Sequence, residues 1–299
     1  MDVLTVKGLK KSFGDKKVLY GLDLTVPQNS IFGFVGKNGA GKTTAMKAVL
    51  GLMTVDDGEM YVCGERVKYG QTPTNRYIGY LPDVPEFYSF MTCREYLRLC
   101  GECLNMKKKD IADKSEELLS LVGLDCEKHR IKGFSRGMKQ RLGIAQALLG
   151  SPKLLICDEP TSALDPIGRK EILDILLSVR NRTTVLFSTH ILSDVERICT
   201  DIAVLNGGKI ALKGSVEELK NGRGEEGFSV EVLESEGAKK LADFFGNASL
   251  EPNDTVVFTQ GGAKMFDVLD YMKENSISFR KVEKMQPTLE SLFMEAVEK

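Results

Sequence analysis

The stretch GKNGAGKT at residues 36–43 decides the fold, because it fits the pattern GxxxxGK[ST]. It follows the apolar run Ile31–Val35 and precedes a helical pattern at residues 43–52, so the order is strand, loop and helix. Glycines let the backbone N–H groups of such a loop surround phosphate oxygens, and the N-terminus of the following helix adds partial positive charge. The sequence therefore predicts a phosphate-binding loop at the beginning of an α/β core.

The side chains at the end of this loop have their own expected roles. Lys42 is expected to reach the β- and γ-phosphate oxygens of ATP and so to assist hydrolysis, and the Thr43 hydroxyl is expected to hold Mg²⁺. A chance match between a strand and a helix is rare, which makes a mere glycine turn a weak alternative. The residues predicted to bind the nucleotide are Gly36, Lys37, Asn38, Gly39, Ala40, Gly41, Lys42, Thr43 and Thr44.

Two carboxylates follow a second apolar run, at residues 154–157. Asp158 is expected to accept a hydrogen bond from a water on Mg²⁺, and Glu159 to polarise the attacking water as a general base. General bases of this kind contribute about 10²- to 10⁴-fold to a rate. A solvent-facing Asp-Glu pair would be the ordinary interpretation of a strand end, but beside the glycine loop the pair predicts hydrolysis of bound ATP.

Further elements surround this loop in the first part of the chain. Short alternating runs at residues 4–6, 18–26 and 60–67 predict an antiparallel β-subdomain. Apolar residues spaced by three and four predict a helical subdomain at about residues 85–150. Its predicted helices cover residues 95–104, 111–122 and 138–149.

Two more apolar runs indicate a parallel sheet. They lie at residues 154–158 and 184–188 and are separated by a predicted helix at about residues 168–179, which is the alternation typical of parallel strands. The sequence NGG at residues 206–208 predicts a hairpin. We therefore predict an α/β fold with a P-loop ATPase core at residues 1–222.

The polar, glycine-rich stretch NGRGEEG at residues 221–227 has the composition of a linker. Beyond it we predict a small C-terminal α/β domain at residues 228–299. Pro287 stands where the first turn of a helix tolerates proline. The predicted strands cover residues 228–232, 255–259 and 277–282, and the predicted helices cover residues 238–245, 264–275 and 288–297.

The charge balance and the apolar runs exclude some classes of protein. The chain has 41 Lys and Arg against 42 Asp and Glu, so no overall field attracts nucleic acid, and we expect no nucleic-acid partner. No stretch approaches the roughly 18 consecutive apolar residues of a membrane-spanning helix, and residues 1–10 do not resemble a secretory signal. We expect a cytoplasmic protein.

The chain has seven cysteines, an odd number that favours reduced thiols over a disulfide framework. Cys100 and Cys103 form a CxxC pair, and Cys93 is a possible third metal ligand. Because these cysteines fall among the apolar positions of a predicted helix, we expect buried structural thiols, with metal or redox use as the alternative.

Several motifs of this chain together resemble the ATP-binding cassette (ABC) family over residues 2–222. The segment FSRGMKQR at residues 134–141 looks like the signature of that family. It is followed by Asp158 and Glu159, by SALD at residues 162–165 and by His190. Because their order and spacing match the family, this resemblance is far more specific than the glycine loop alone.

The resemblance implies that two cassettes close head to tail, so that each ATP lies between the glycine loop of one and the signature helix of the other. Ser135 and Gly137 would then serve the partner's ATP, and Asp165 would link the two sites. His190 would contact the γ-phosphate as a catalytic clamp, although a lone histidine is more often structural. Phe13 matches the aromatic residue that stacks on adenine, with an ordinary core position as the alternative.

Three positions depart from the family pattern. The signature usually has glycine at the position of Arg136 and glutamine at the position of Met138, which leaves the nucleotide contacts of both residues open. Asp83 stands where the family usually has glutamine, and its carboxylate still offers oxygen to Mg²⁺ or water. The predicted metal ligands are Thr43, Asp83 and, through water, Asp158.

The resemblance further implies ATP-driven work on a partner. We expect integral membrane permease subunits of an exporter, with this chain peripheral on the inner face of the cell membrane and paired as a homodimer or heterodimer. The tail at residues 280–284 and 287–293 resembles drug-resistance exporter cassettes. The alternative is a soluble ABC-type ATPase acting on ribosomes or DNA, or in cofactor assembly. A single glycine loop and the lack of long heptads disfavour the first two, and Cys100 and Cys103 are the hint for the third.

Overall fold

The computed structural model describes residues 2–221, 227–246, 248–259, 263–285 and 289–298. The chain divides into two units, which are Met1–Val216 together with Ala296–Lys299, and Glu217–Glu295. Within the described ranges, every helix falls short of the length and hydropathy that a membrane span requires.

The strands are β1 (Asp2–Phe13), β2 (Lys16–Pro27), β3 (Ile31–Val35), β4 (Asp57–Val62), β5 (Glu65–Arg66), β6 (Ile78–Leu81), β7 (Leu154–Asp158), β8 (Thr184–Thr189), β9 (Asp201–Asn206), β10 (Lys209–Ser215), β11 (Gly227–Val232), β12 (Ala248–Glu251), β13 (Thr255–Thr259) and β14 (Phe279–Met285). The helices are α1 (Lys42–Val49), α2 (Cys93–Cys103), α3 (Lys108–Leu121), α4 (Arg136–Leu148), α5 (Pro166–Val179), α6 (Leu192–Ile198), α7 (Val216–Asn221), α8 (Ser235–Phe245), α9 (Met265–Glu274) and α10 (Leu289–Glu298).

A six-stranded sheet with strand order β10-β9-β3-β8-β7-β6 forms the centre of the first unit. β3 pairs in parallel with β8 and β9, and β7 pairs in parallel with β8 and β6, which confirms the predicted α/β core. Parallel pairing puts the carboxyl ends of β3, β7 and β8 at one edge, with Val35 opposite Thr189 and Asp158 opposite Ser188. The glycine loop, Glu159 and His190 therefore leave the sheet side by side.

A second sheet, of strand order β2-β1-β4-β5, is antiparallel and forms the predicted β-subdomain. Buried and exposed residues alternate along β1 and β2, as expected for strands with one face in the core. The buried side chains of this sheet share one hydrophobic cluster with β3 and α1, including Leu4, Leu22, Phe34 and Met46. The strand and the helix on either side of the glycine loop are thus fixed by the same core.

Capping residues set the starts of three predicted helices. α2, α4 and α5 each begin two residues earlier than predicted, at 93, 136 and 166 instead of 95, 138 and 168. Thr92, Ser135 and Asp165 cap these helices by accepting from backbone N–H groups of the first turn. The apolar periodicity begins only after the first helical residues, so it places the start too late.

Four short elements are absent from the sequence prediction, namely β6, α6, α7 and β12. β6 is only four residues long and contains Gly79, which a pattern search would take for a turn. A Cβ at residue 79 would lie 2.1 Å from the Ala147 carbonyl oxygen of α4, so this glycine serves close packing instead. Elements this short carry too few periodic residues to be recognised.

The second unit has a four-stranded antiparallel sheet of order β12-β13-β11-β14. With α8 between β11 and β12 and α9 between β13 and β14, this is the split βαβ arrangement. Its core includes Phe228 stacked on Phe258, with ring centroids 4.6 Å apart. The predicted linker lies mostly outside the described residues, as does Pro287, and the predicted domain boundaries stay predictions.

Candidate active site

The glycine loop leaves β3 beside the end of β8. The Gly36 N–H donates to the Thr189 carbonyl at 3.3 Å, and a Cβ at residue 36 would lie 2.6 Å from the Leu205 carbonyl oxygen. Gly41 precedes α1 with a φ of 112°, a conformation that favours glycine. In the described part of the chain no side chain caps the N-terminus of α1. Its first N–H groups and its partial positive charge suit an anion.

Glu159 lies between two basic side chains. Its Oε1 atom is 3.1 Å from Lys42 Nζ, and its Oε2 atom is 2.9 Å from His190 Nδ1. Lys42 Nζ also donates to the Gly36 carbonyl at 2.6 Å. Although Oε1 is buried and close to the ammonium group, it accepts no hydrogen bond from the described residues. The sheet edge thus brings the predicted base, lysine and histidine into direct contact.

Asp158 is buried, and Ser188 fixes its side chain. Ser188 Oγ donates to Asp158 Oδ1 at 2.7 Å and accepts from the Glu159 N–H at 3.1 Å. The backbone of Glu159 has a φ of 47°, in the left-handed region that costs a non-glycine residue about 1–2 kcal/mol. The sequence analysis did not identify Ser188 as a site residue. The sequence offered one signal for it, which was a hydroxyl near the end of an apolar strand that was predicted to lie in the same sheet as the strand of Asp158 and Glu159.

Asp83 follows β6 and is tied to α4 by two contacts. Its Oδ1 atom accepts from Arg136 Nη2 at 3.3 Å, and its backbone carbonyl accepts from Gln140 Nε2 at 2.6 Å. Burial raises the pKa of the Asp83 carboxyl above its ordinary value, Arg136 opposes that shift, and Asp158 and Glu159 reinforce it. Asp83 therefore shares the electrostatic environment of the other two carboxylates.

These residues meet in a cleft of about 440 Å³, within the range of small-molecule sites. The predicted residues that line it are Asn38, Gly39, Gly41, Lys42, Thr43, Thr44, Asp83, Glu159 and His190. Lys16, Val18 and Ser162 also line it and are not among the predicted site residues. Gly36, Lys37 and Ala40 belong to the same loop but do not line the cleft, and Asp158 is buried and does not line it either.

Phe13 stands at the end of β1 and is not among the residues that line the cleft. Its side chain is 49% exposed, and Lys11 Nζ lies 5.2 Å from its ring centroid. Because half of the ring is exposed, the alternative of an ordinary core position is wrong. Stacking on adenine stays a prediction.

The signature residues begin α4, apart from the cleft lining. Ser135 Oγ accepts from the Met138 N–H at 3.2 Å, so Met138 contributes to this helix start through its backbone. A Cβ at Gly137 would lie 3.9 Å from Leu164, so packing within the chain does not require glycine there. Asp165 caps α5 by accepting from the Gly168 N–H at 3.3 Å.

Among the described residues, no group of three His, Cys, Asp or Glu side chains is arranged to hold a metal ion. Cys93 is buried, whereas Cys103 is exposed and Cys100 is half-buried. The expectation of buried thiols is therefore wrong for Cys103.

A glycine loop between a buried strand and a helix, with its lysine against a strand-end glutamate, defines a P-loop ATPase. The added helical subdomain and signature helix narrow the class to ATP-binding cassettes. The chain belongs to the ABC transporter family, whose model, described as "ABC transporter", matches residues 19–162. ATP-binding cassettes of this family bind ATP and hydrolyse it to power transport.

Three known proteins illustrate this similarity. An uncharacterised ABC transporter ATP-binding protein of Bacillus subtilis, YxlF, is 41% identical over 233 residues, which cover 78% of this chain and 77% of that protein. The bacitracin transport ATP-binding protein BcrA of Bacillus licheniformis is 39% identical, covering 73% of this chain and 71% of that protein. A solved ATP-binding subunit of an ABC transporter has a TM-score of 0.65 and 30% identity, covering 74% of this chain and 93% of that one.

The chain is thus an ATPase that energises a membrane transporter. The relatives are named as ATP-binding proteins of transporters or of transport, which does not favour action on ribosomes or DNA or in cofactor assembly.

Proposed function

We propose that this chain drives an exporter through separate integral membrane permease subunits, to which it binds on the inner, cytoplasmic face of the cell membrane. The contact of Lys42 and His190 with Glu159 carries the ATPase part of the proposal, because it unites the loop lysine with a base. Similarity to a bacitracin transport protein supports the transport part of the proposal. The tail at residues 280–284 and 287–293, which resembles drug-resistance exporter cassettes, supports export as the direction.

We infer that ATP binds in the cleft with its phosphates on residues 36–44 and with Mg²⁺ held by Thr43, Asp83 and, through water, Asp158. The uncapped start of α1 and the position of Lys42 Nζ, 3.1 Å from Glu159 Oε1 at the end of the glycine loop, support this fit among the described residues. Bound Mg²⁺ would neutralise charge on the phosphate oxygens. Lys42 would turn from Glu159 to these oxygens, and Glu159 would then take the proton of the attacking water.

The partner cassette completes this proposal. Ser135 and Gly137 would approach the ATP of a second cassette, identical or different, with Asp165 linking the two sites. The space around Gly137 supports this role, because packing within the chain would accept a larger residue there. Close approach of another molecule would explain why the residue is glycine. Phe13, half-exposed beside the cationic Lys11, would stack on adenine.

Co-purification from native membranes tests the exporter assignment. We expect integral membrane subunits to accompany the chain and to stimulate its ATPase activity, whereas a Lys42→Ala variant should co-purify but show no stimulated turnover. Recovery of ribosomes or nucleic acid in place of membrane subunits would contradict the exporter assignment and leave the ATPase assignment intact.

A further inference from the structure

Asp194 carries a buried carboxylate that the nucleotide site as described does not use. The residue is only 2% exposed, and both carboxylate oxygens accept hydrogen bonds. Oδ2 accepts from the Thr161 hydroxyl at 2.7 Å, and Oδ1 accepts from Arg169 Nε at 2.7 Å. Arg169 Nη2 also donates to Ser193 Oγ at 2.9 Å. We call Thr161, Arg169, Ser193 and Asp194 the Asp194 network.

The Asp194 network joins three segments that surround the site. Thr161 lies two residues after Glu159, in the turn where the Ser162 N–H donates to the Glu159 carbonyl at 3.1 Å. Arg169 lies in the first turn of α5, just after the loop of residues 162–165 that ends at Asp165. Ser193 and Asp194 lie at the start of α6, just after His190. The loops of Glu159, Asp165 and His190 are therefore tied to one carboxylate.

Burial of a charge costs several kcal/mol unless excellent geometry and complete hydrogen bonding offset the cost. Apolar residues of similar volume would often stabilise such a position equally well. Because both oxygens of Asp194 accept directional hydrogen bonds, the ion pair restricts the relative positions of the segments that it joins.

We infer that Asp194 is a positioning residue, which holds the partner-facing loop of residues 162–165 in register with Glu159 and His190. This inference rests on the proposed head-to-tail pairing of two cassettes. Loosening the Asp194 network leaves ATP binding by the glycine loop in place and weakens the ATP-dependent association of two cassettes.

The test uses the full chain with Glu159→Gln, in which bound ATP should persist and pairing can be measured by sedimentation. Thr161→Val removes the hydroxyl at nearly constant shape, and Thr161→Ser keeps it. Asp194→Asn removes the charge and gives an independent variant. Asp174→Asn is the matched control, because it breaks the exposed Asp174–Arg197 ion pair, at 2.8 Å, between the same helices α5 and α6.

We expect Thr161→Val and Asp194→Asn to bind a fluorescent ATP analogue with a Kd within about twofold of the parent and to need at least about tenfold more protein to pair. Thr161→Ser should restore pairing, and Asp174→Asn should match the parent. Equal pairing by Thr161→Val and the parent would overturn the inference, and so would equal loss in Asp174→Asn. If the Glu159→Gln parent itself does not pair with ATP, the proposed head-to-tail arrangement fails instead.

Discussion

Lys42 must move away from Glu159 before this glutamate can act as a base. Lys42 Nζ lies 3.1 Å from the Oε1 atom of this glutamate, so the ammonium group occupies one side of the carboxylate. The phosphate oxygens of ATP carry more charge than a carboxylate and compete for the same lysine through charge-assisted hydrogen bonds. Binding of ATP would therefore free the Oε1 side of Glu159 for water, whereas His190 Nδ1 contacts the other oxygen, Oε2, at 2.9 Å.

Glu159→Gln should lower the ATPase rate by about 10²- to 10⁴-fold while ATP binding is kept, because only the base is removed. Affinity should be equal or higher, since the amide competes less strongly than a carboxylate for Lys42. Steady-state hydrolysis and binding of a fluorescent ATP analogue measure the two effects. Glu102→Gln, which breaks an exposed ion pair with Arg98, is the control and should hydrolyse normally. Normal turnover in Glu159→Gln would reject Glu159 as the base.

Asp83→Asn should raise the melting temperature at pH 7 in the absence of nucleotide. Because the fold raises the pKa of this carboxyl above its ordinary value of 3.8, ionised Asp83 destabilises the native state above the folded pKa. That penalty is lost as pH falls through the folded pKa, so the gain from Asn should vanish below pH 3.8. The Gln140 bond to the backbone carbonyl is kept.

Thermal melts of Asp83→Asn at pH 7 and at acid pH measure this gain. Asp174→Asn, at a half-exposed carboxylate paired with Arg197, is the control and should show no gain at pH 7. A lower melting temperature of Asp83→Asn at pH 7 would show that the Arg136 contact outweighs burial.

Site residues that belong to a contiguous motif could be predicted from the sequence. Site residues that are defined by contacts with side chains far away in the chain could not. The glycine loop and the pair Asp158 and Glu159 belong to contiguous motifs, so their positions follow from the strands that carry them. Ser188 and Asp194 are recognised only by bonds to residues 25 to 33 positions away in the chain. Such pairs depend on strand order, which periodicity does not determine.

At the scale of elements, the start of α4 contains a glycine, Gly137, that packing within the chain does not require but that the proposed pairing of two cassettes does. A Cβ at Gly137 fits within the chain, with its nearest neighbours 3.9 and 4.0 Å away. Alanine is about 1 kcal/mol more favourable than glycine in a helix. Gly137→Ala should therefore leave stability unchanged or raise it by up to about 1 kcal/mol, yet lower ATPase activity, because the added methyl group obstructs the partner's nucleotide.

Urea unfolding and ATPase assays of Gly137→Ala measure the two effects. Gly150→Ala is the control, since its added Cβ would also find only an ordinary contact, at 3.5 Å from Leu104, and should leave activity unchanged. Full activity in Gly137→Ala would remove the support for close approach of a partner at this helix.

Elements were predictable where a motif or an apolar run marked both ends. β3 and β7 have the predicted bounds because each is a buried run that ends directly at a motif. α4 and α5 begin earlier than predicted because capping, not periodicity, sets their starts. β6 escaped prediction because its glycine is needed for contact with α4.

At the scale of the whole molecule, the predicted nucleotide chemistry belongs to one of the two units. All predicted site residues, from Phe13 to His190, lie within Met1–Val216. Two hydrophobic clusters made of residues 3–205 support that unit, and the second unit has a separate cluster of its own around β11 and β13. Each unit therefore has the core that independent folding requires.

A fragment of residues 2–221, which contains the first unit apart from Met1 and Ala296–Lys299, should consequently fold and bind ATP with a Kd within about twofold of that of the full chain, because every predicted site residue and two hydrophobic clusters lie in it. Circular dichroism reports its folding, and titration with a fluorescent ATP analogue reports its binding. The same fragment with Lys42→Ala is the control for binding through the glycine loop. A fragment that folds but does not bind ATP would show that the second unit contributes to the nucleotide site. Equal binding would leave the second unit to act after ATP is bound, in coupling to the membrane partner or in pairing.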